Sequence, residues 1–447
     1  MTIGPSRTLD RTLTVTDLIL LTTGTVIGSG VWVVPGAVVR ATSGDAGWAL
    51  LAWLIGGLLS LMGALTYAEL GAMKPEAGGL YVYIRDAFGG LAAFLYGWTM
   101  FFVLGSGSLA VLAVAFTTYL NELLPLAPSV GKAVPVVMIG CLALLNVRGT
   151  RQSASVTNWT TGVKVAALVV MSVVLLALAG GGAGAATAAD FRPSPITASM
   201  LVGVGIALIS VLWACEGWQY TTFVGGEAAD PQRTLSRGLT LGTGLVVTIY
   251  LLANTAYIAA LGPARVARST SVAAEAVGTL VTPAAGRLIA LAILVSIFSA
   301  ANGLVLSAPR VFFAMARDGV FFQRLAEVHP RFRTPAFAIV AGAGWAAVLA
   351  ASGTFEQLLT YVVFVGWMFY GLGGLSLFYY RRAQPRATRP FRVPGYPLTP
   401  TLFVLSAAAI VVNTLATQRT QSLIGLAVVA AGLPAYFIWR TLARARN

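Results

Sequence analysis

The chain has 447 residues, 57% hydrophobic and only 10% charged, with a mean hydropathy of +0.82. So little charge excludes an ordinary soluble fold of this size and predicts an all-α polytopic membrane protein. A single histidine, His329, and two cysteines inside apolar runs, Cys141 and Cys215, argue against a histidine-built metal centre or a structural disulfide.

Apolar runs bounded by Gly, Pro and charge predict 12 transmembrane helices, near 17–40, 47–73, 88–119, 132–147, 155–180, 200–224, 236–261, 280–313, 335–352, 356–379, 398–416 and 421–440. The first is interrupted at its centre by Gly28-Ser29-Gly30, with Pro35 shortly after. Glycine weakens a helix and proline removes an amide donor. An unpaired backbone group in hydrocarbon costs several kcal/mol, so such a break belongs where protein or a cavity surrounds it. Membrane carriers use breaks of this kind to aim half-helix ends at a solute. Amides freed here, with the positive end of the following half-helix, suit a carboxylate. The plain alternative is close helix packing through small residues.

The fifth run holds Lys164, the one basic residue far from either end of a span. An ammonium at that depth needs carbonyl or hydroxyl partners. The sixth run is broken in turn by Trp213-Ala214-Cys215-Glu216-Gly217-Trp218-Gln219-Tyr220. Carbonyls freed around Ala214, Cys215 and Glu216 would present negative ends to a cation such as an α-amino group. Glu216 is open to three roles: binding a cationic side chain, proton coupling, or capping freed donors; a protonated glutamate in a polar packing cluster is the plain alternative. In the eighth run Ser299 and Asn302 share a helix face at i and i+3. Broken helices 1 and 6 hold matching positions in spans 1–5 and 6–10, which predicts a 5+5 inverted repeat with two C-terminal helices outside it. The two breaks share no letter-by-letter identity, so the repeat rests on position.

With the N-terminus inside, cytoplasmic segments hold 21 of the 29 Lys and Arg residues, the opposite side seven, and the membrane one, Lys164. That bias fits the positive-inside rule and leaves nucleic acid, which a net charge of +14 could otherwise suggest, without support. The reading gives a cytoplasmic tail at 1–16, a first repeat at 17–180, an extracellular loop at 181–199 and a second repeat at 200–379. A cytoplasmic loop at 380–397, helices 11 and 12 within 398–440, and a cytoplasmic tail at 441–447 complete it. Glu69 and Glu227, near helix ends beside basic loops, read as salt-bridge partners, and His329 as a solvated loop residue.

Several stretches also match a family pattern. Thr25-Val26-Ile27-Gly28-Ser29-Gly30 resembles the first-helix motif of the amino acid–polyamine–organocation superfamily. Tyr67-Ala68-Glu69-Leu70, then Glu76-Ala77-Gly78-Gly79-Leu80-Tyr81, resembles its second helix and following loop. Glu227 to Arg233, Arg310 to Gly319, His329-Pro330, Thr334-Pro335 and Arg389 to Pro394 are similar to later family stretches. The Gly217-Trp218 pair and Lys164 look most like the L-type amino acid transporter family in a bacterial-type form.

The resemblance implies an L-amino acid as substrate in a multi-pass protein of the plasma membrane. Its carboxylate would sit at Gly28, Ser29 and Gly30, with Thr25, Val26 and Ile27 contributing backbone, and its amine at the sixth-helix break. Trp213 aligns with a family aromatic that closes over substrate, while Trp218 and Gln219 are further lining candidates. Lys164 falls where sodium-coupled relatives bind a cation, with Ser299 and Asn302 as expected partners, which implies transport without sodium. Exchange by alternating access follows from the family. A proton-coupled symporter is the competing reading, and a carrier of cationic amino acids or polyamines another. Residues 120–132 lack the cysteine that tethers heteromeric members to a single-pass subunit, so no disulfide-linked heavy subunit is expected. No cofactor, metal or catalytic constellation is indicated.

Overall fold

The computed structural model describes residues 9–179, 186–282, 284–352 and 355–444. Of the predicted segments, the tail to residue 8, residues 180–185, residue 283 in the eighth span, and the tail from 445 lie outside the described residues.

The described chain is helical, and its only β pairing is an isolated bridge between Leu13 and Ala228. In chain order the helices are α1 (Val15–Val26), α2 (Gly30–Ala41), α3 (Ala46–Met73), α4 (Leu80–Phe88), α5 (Gly90–Thr99) and α6 (Gly105–Leu123). Then come α7 (Pro128–Arg148), α8 (Thr150–Leu178), α9 (Ala198–Ala214), α10 (Pro231–Leu261), α11 (Pro263–Arg268) and α12 (Val272–Leu280). The rest are α13 (Ala285–Ser307), α14 (Pro309–Arg317), α15 (Ala336–Ser352), α16 (Phe355–Ala383), α17 (Leu398–Thr417) and α18 (Arg419–Arg444).

Helix starts obey local chemistry. Thr14 and Asp17 form a capping box at α1, Asp45 accepts from the Trp48 amide at α3, and prolines open α7, α10 and α11. A π-turn at Met100–Leu104 joins α5 to α6 and shifts the register of α6 relative to α5.

Among the described residues, ten helices are long and apolar enough to cross a membrane, and eleven when α1 and α2, bent by 49°, count as one span. At 17 residues α15 is the shorter apolar helix. The predicted connections hold helices of their own, α4 between the second and third runs, and α11 and α12 between the seventh and eighth. These are short and carry charges, so the hydropathy pattern that finds spans passes over them.

Buried ion pairs fasten one end of the bundle. Arg310 donates to both Glu227 oxygens at 2.6 and 2.9 Å, and Thr150 donates to the same carboxylate. Arg381 grips Glu69 at 3.0 and 2.7 Å, with the Val393 amide also donating to Glu69 at 2.7 Å. Asp17 takes bonds from Arg151 and Asn158, each at 2.6 Å. The Arg310–Glu227 pair, buried on both sides, costs desolvation as well as gaining attraction, while Arg381 and Arg151 stay partly in solvent, so these pairs specify which helix ends meet more than they add stability. The Thr12 and Leu13 amides both donate to the Glu227 carbonyl at 2.9 Å, strapping the N-terminal segment over the same point.

Candidate functional site

Two interruptions meet at the centre of the bundle. Ile27-Gly28-Ser29 separates α1 from α2, and Cys215-Glu216-Gly217 separates α9 from a 3₁₀ helix at Trp218–Glu227. Glycine is required at 217, where φ is +127° and a Cβ would lie 2.7 Å from the Thr25 carbonyl oxygen. Thr25 Oγ1 donates to the Gly217 carbonyl at 3.1 Å, so the two broken segments are joined by a side-chain-to-backbone bond.

An interrupted helix leaves amides and carbonyls without intrahelical partners. At the first break most freed carbonyls are taken from behind. Lys164 Nζ, on α8 and fully buried, donates to the carbonyls of Gly24 at 2.7 Å and Ile27 at 2.6 Å. Ser296 Oγ, on α13, donates to the carbonyls of Ile27 at 3.0 Å and Gly28 at 2.8 Å. The Val26 carbonyl accepts from the Gly28 amide and from Tyr250. Among the described residues the amides of Ser29, Gly30 and Val31, at the start of α2, have no acceptor, and the carbonyls of Thr25, Cys215 and Glu216 have no donor.

A cavity of about 120 Å³ opens between the breaks, lined by Thr25, Val26, Gly28, Ser29, Gly30, Trp213, Ala214, Glu216 and Gly217. Across from them stand Ser108, Val111 and Leu112 of α6, Tyr220 of the 3₁₀ helix, and Ala300 and Leu304 of α13. One wall carries free amides at a helix N-terminus, which favours an anion. The lining also carries the free carbonyls of Thr25 and Glu216 and the Glu216 carboxylate, which favour a cation. Glu216 accepts from Tyr370 at 2.8 Å and from Gln219 at 3.4 Å.

Several residues expected at the site serve it from outside the cavity. Trp218 is 1% exposed and packs edge-on against Tyr67 and Phe403, with ring centroids 5.0 and 5.7 Å apart. Gln219 turns back to cap the break, its side-chain oxygen accepting from the Gly217 amide at 3.1 Å. Ile27 and Cys215 are buried off the lining. Ser299 is paired with Thr161 at 3.1 Å. Asn302 belongs to a polar cluster with Asn146, Ser153 and Thr157. The hydrogen bonds of Lys164 run to α1 backbone, not to Ser299 or Asn302: the i, i+3 face they share is directed at α7 and the earlier turns of α8.

Sequence reasoning did not reach Ser296, Tyr250, Ser108 or Tyr370. Ser296 lies one turn before Ser299 on the same face of α13, and that i, i+3 spacing is the signal that could have found it. Among the described residues no group of three or more His, Cys, Asp or Glu could hold a metal ion.

A family model described as amino acid permease matches residues 13–433. The chain is similar to the serine/threonine exchanger SteT of Bacillus subtilis (strain 168), at 32% identity over 420 residues, 93% of this chain and 94% of that protein. It is 30% identical to the human Asc-type amino acid transporter 1 over 430 residues, 94% of this chain and 80% of the relative. It is also 30% identical to the mouse large neutral amino acids transporter small subunit 2 over 428 residues, 93% and 78% of the two chains.

Proposed function

The chain belongs to the amino acid permease family, and on that premise we propose that it is an amino acid exchanger that works by alternating access without sodium. One observation carries the proposal. The amides left free by the first break and the Glu216 carbonyl left free by the second belong to residues that line one small cavity, and that pairing of polarities matches an α-amino acid backbone. The carboxylate is assigned to the Ser29 and Gly30 amides, and the ammonium to the carbonyls of Thr25 and Glu216, which line the cavity. Trp213, half-buried on the lining, is assigned as the aromatic that covers the substrate. Lys164 takes the place of a coupling cation, because its ammonium already neutralises two carbonyls of the first break.

The broader architecture assigned here has 12 spans. It counts α15 as one of them, pairs spans 1–5 with 6–10 as an inverted repeat, and leaves α17 and α18 outside. The strongly basic end faces the cytoplasm with both termini, in the plasma membrane. The bacterial relative is a serine/threonine exchanger, and a cavity of about 120 Å³ suits a small side chain. Serine, threonine and alanine are therefore the first substrates to test. No disulfide-linked subunit is assigned, since residues 120–132 contain no cysteine.

Counterflow in proteoliposomes tests the function. Uptake of labelled serine should require unlabelled amino acid inside and be unchanged when choline replaces sodium. Uptake into empty vesicles driven by a pH gradient alone would instead establish proton symport.

A further inference from the structure

Trp218 directly follows the turn at Gly217, and its indole packs into a buried aromatic cluster joined by Phe403 of α17. The Phe403 ring is fully buried, with its centroid 5.7 Å from that of Trp218, 6.1 Å from Tyr67 of α3 and 6.4 Å from Trp367 of α16. Two glycines leave room for it. A Cβ on Gly63 of α3 would lie 2.6 Å from both the Phe403 and the Trp218 rings, and one on Gly374 of α16 would lie 3.0 Å from the Phe403 ring. Three helices and the 3₁₀ segment therefore meet on this one side chain.

The cluster reaches the lining by two routes. Trp218 is bonded in sequence to Gly217, which lines the cavity. Tyr67, edge-on to both Trp218 and Phe403, donates its hydroxyl to the Tyr370 carbonyl at 2.9 Å, and Tyr370 in turn donates to the Glu216 carboxylate at 2.8 Å. Phe403, Trp218 and Tyr67 themselves stay off the lining. We propose that Phe403 is a positioning residue for substrate: its ring backs the second break and fixes where Glu216 and Gly217 present their polar groups to the cavity. The inference rests on the amino acid reading of the site. It gives α17 a part in that site, although the assigned architecture leaves this helix outside the repeat. Behind the first break stand the charged and hydroxyl donors of Lys164 and Ser296. Behind the second stand rings, and edge-on aromatic pairs hold direction as well as filling volume. Loss of the Phe403 ring should weaken binding without removing any group that touches the ligand.

The test sets Phe403→Leu beside Ile410→Ala in the counterflow assay. Leucine keeps the site apolar and removes the ring. Ile410 is buried on the same helix about two turns further on, so its truncation loosens α17 without touching the aromatic cluster. For Phe403→Leu the expected result is a KM for serine exchange raised about fivefold, the scale on which aromatic pairs contribute, with the maximum rate within about twofold of the parent. Ile410→Ala should lower the melting temperature at least as much and leave KM within about twofold of the parent. An unchanged KM in Phe403→Leu overturns the proposal, and so does an equal rise in Ile410→Ala, which would reduce the effect to general loosening of the helix. If Phe403→Leu folds but shows no uptake, thermal unfolding in detergent decides: loss of the serine-induced rise in melting temperature supports the proposal, and a retained rise overturns it. If it does not fold, Phe403→Met, closer in volume and also without a ring, is held to the same criteria. Exchange by the parent protein in the same vesicles tests the amino acid reading separately, so failure of one is not mistaken for failure of the other.

Discussion

The two broken helices are held in different ways. The first is clamped from outside, with Lys164 and Ser296 from α8 and α13 taking the carbonyls of Gly24, Ile27 and Gly28. The second is held in part by its own side chains. Gln219 accepts from the Gly217 amide and donates to Glu216, while Thr25, Tyr250 and Tyr370 reach it from other helices. A break fixed by neighbours keeps its amides aimed whether or not ligand is present, as a reader of an invariant carboxylate should. A break that caps itself can rearrange at smaller cost, and it carries the one acidic side chain of the lining. On this reading the first break is the rigid half of the site and the second, which also caps itself through Gln219, the adaptable half.

The largest effect that would sharpen this contrast is expected from Lys164→Ala. The Gly24 carbonyl loses its donor at membrane depth and the Ile27 carbonyl is left to Ser296 alone, at about 1–3 kcal/mol, so exchange should fall by roughly one to two orders of magnitude. Exchange rate per folded protein, with expression and melting measured beside it, checks this; kinetics like the parent's would remove the clamp from the argument. Next come the glycines. Gly30→Ala sets a Cβ 2.9 Å from that of Ala214 and should spread the two halves, lowering both melting temperature and affinity. At Gly28, by contrast, a Cβ meets nothing within 4 Å. Gly28→Ala should therefore fold like the parent and lose affinity alone, since the added methyl enters space meant for ligand. Equal melting losses in both variants would contradict that division.

Glu216→Gln addresses the adaptable half. Glutamine retains an oxygen for Tyr370 while removing the charge, so the fold should persist. Uptake of arginine should fall by about tenfold relative to serine if the carboxylate reads the side chain, the scale of a charged hydrogen bond. Equal losses for both substrates would make Glu216 part of the self-capping of the break and nothing more.

The same contrast explains how far the sequence carried this picture. Broken helices announce themselves through residue type, since Gly28, Ser29, Gly30 and Glu216 are conspicuous in apolar runs. Lys164 stands out for the same reason. Ser296, Tyr250 and Tyr370 do not, because serine and tyrosine are ordinary in membrane helices and their roles exist only where helices distant in sequence meet. Trp218 and Gln219 show the converse. Close to Glu216 in sequence, they were expected on the lining, but the positive φ of Gly217 turns the chain away, putting Trp218 among Tyr67 and Phe403 and Gln219 behind the break. Sequence proximity to a break is a poor guide to which side of it a residue faces.

The smallest predicted effect tests whether the clamp ends where the hydrogen bonds say it does. Ser299 sits one turn from Ser296 on α13, and a reading based on helix face alone gives both the same role. In the structure Ser299 is bonded to Thr161, while Ser296 holds the first break. Ser299→Ala leaves one buried hydroxyl short of a partner, a cost of about 1 kcal/mol that should show up as a slightly lower melting temperature. Exchange KM should stay within about twofold of the parent. Ser296→Ala takes the donor from the Gly28 carbonyl, leaves the Ile27 carbonyl to Lys164 alone, and should raise KM about five- to tenfold at a similar cost in stability. Thermal melts and exchange kinetics on the pair therefore separate two hydroxyls that stability alone would not. If Ser299→Ala raised KM as much as Ser296→Ala, the rigid half of the site would extend to the α8–α13 contact, and the boundary between fixed and adaptable break would have to move with it.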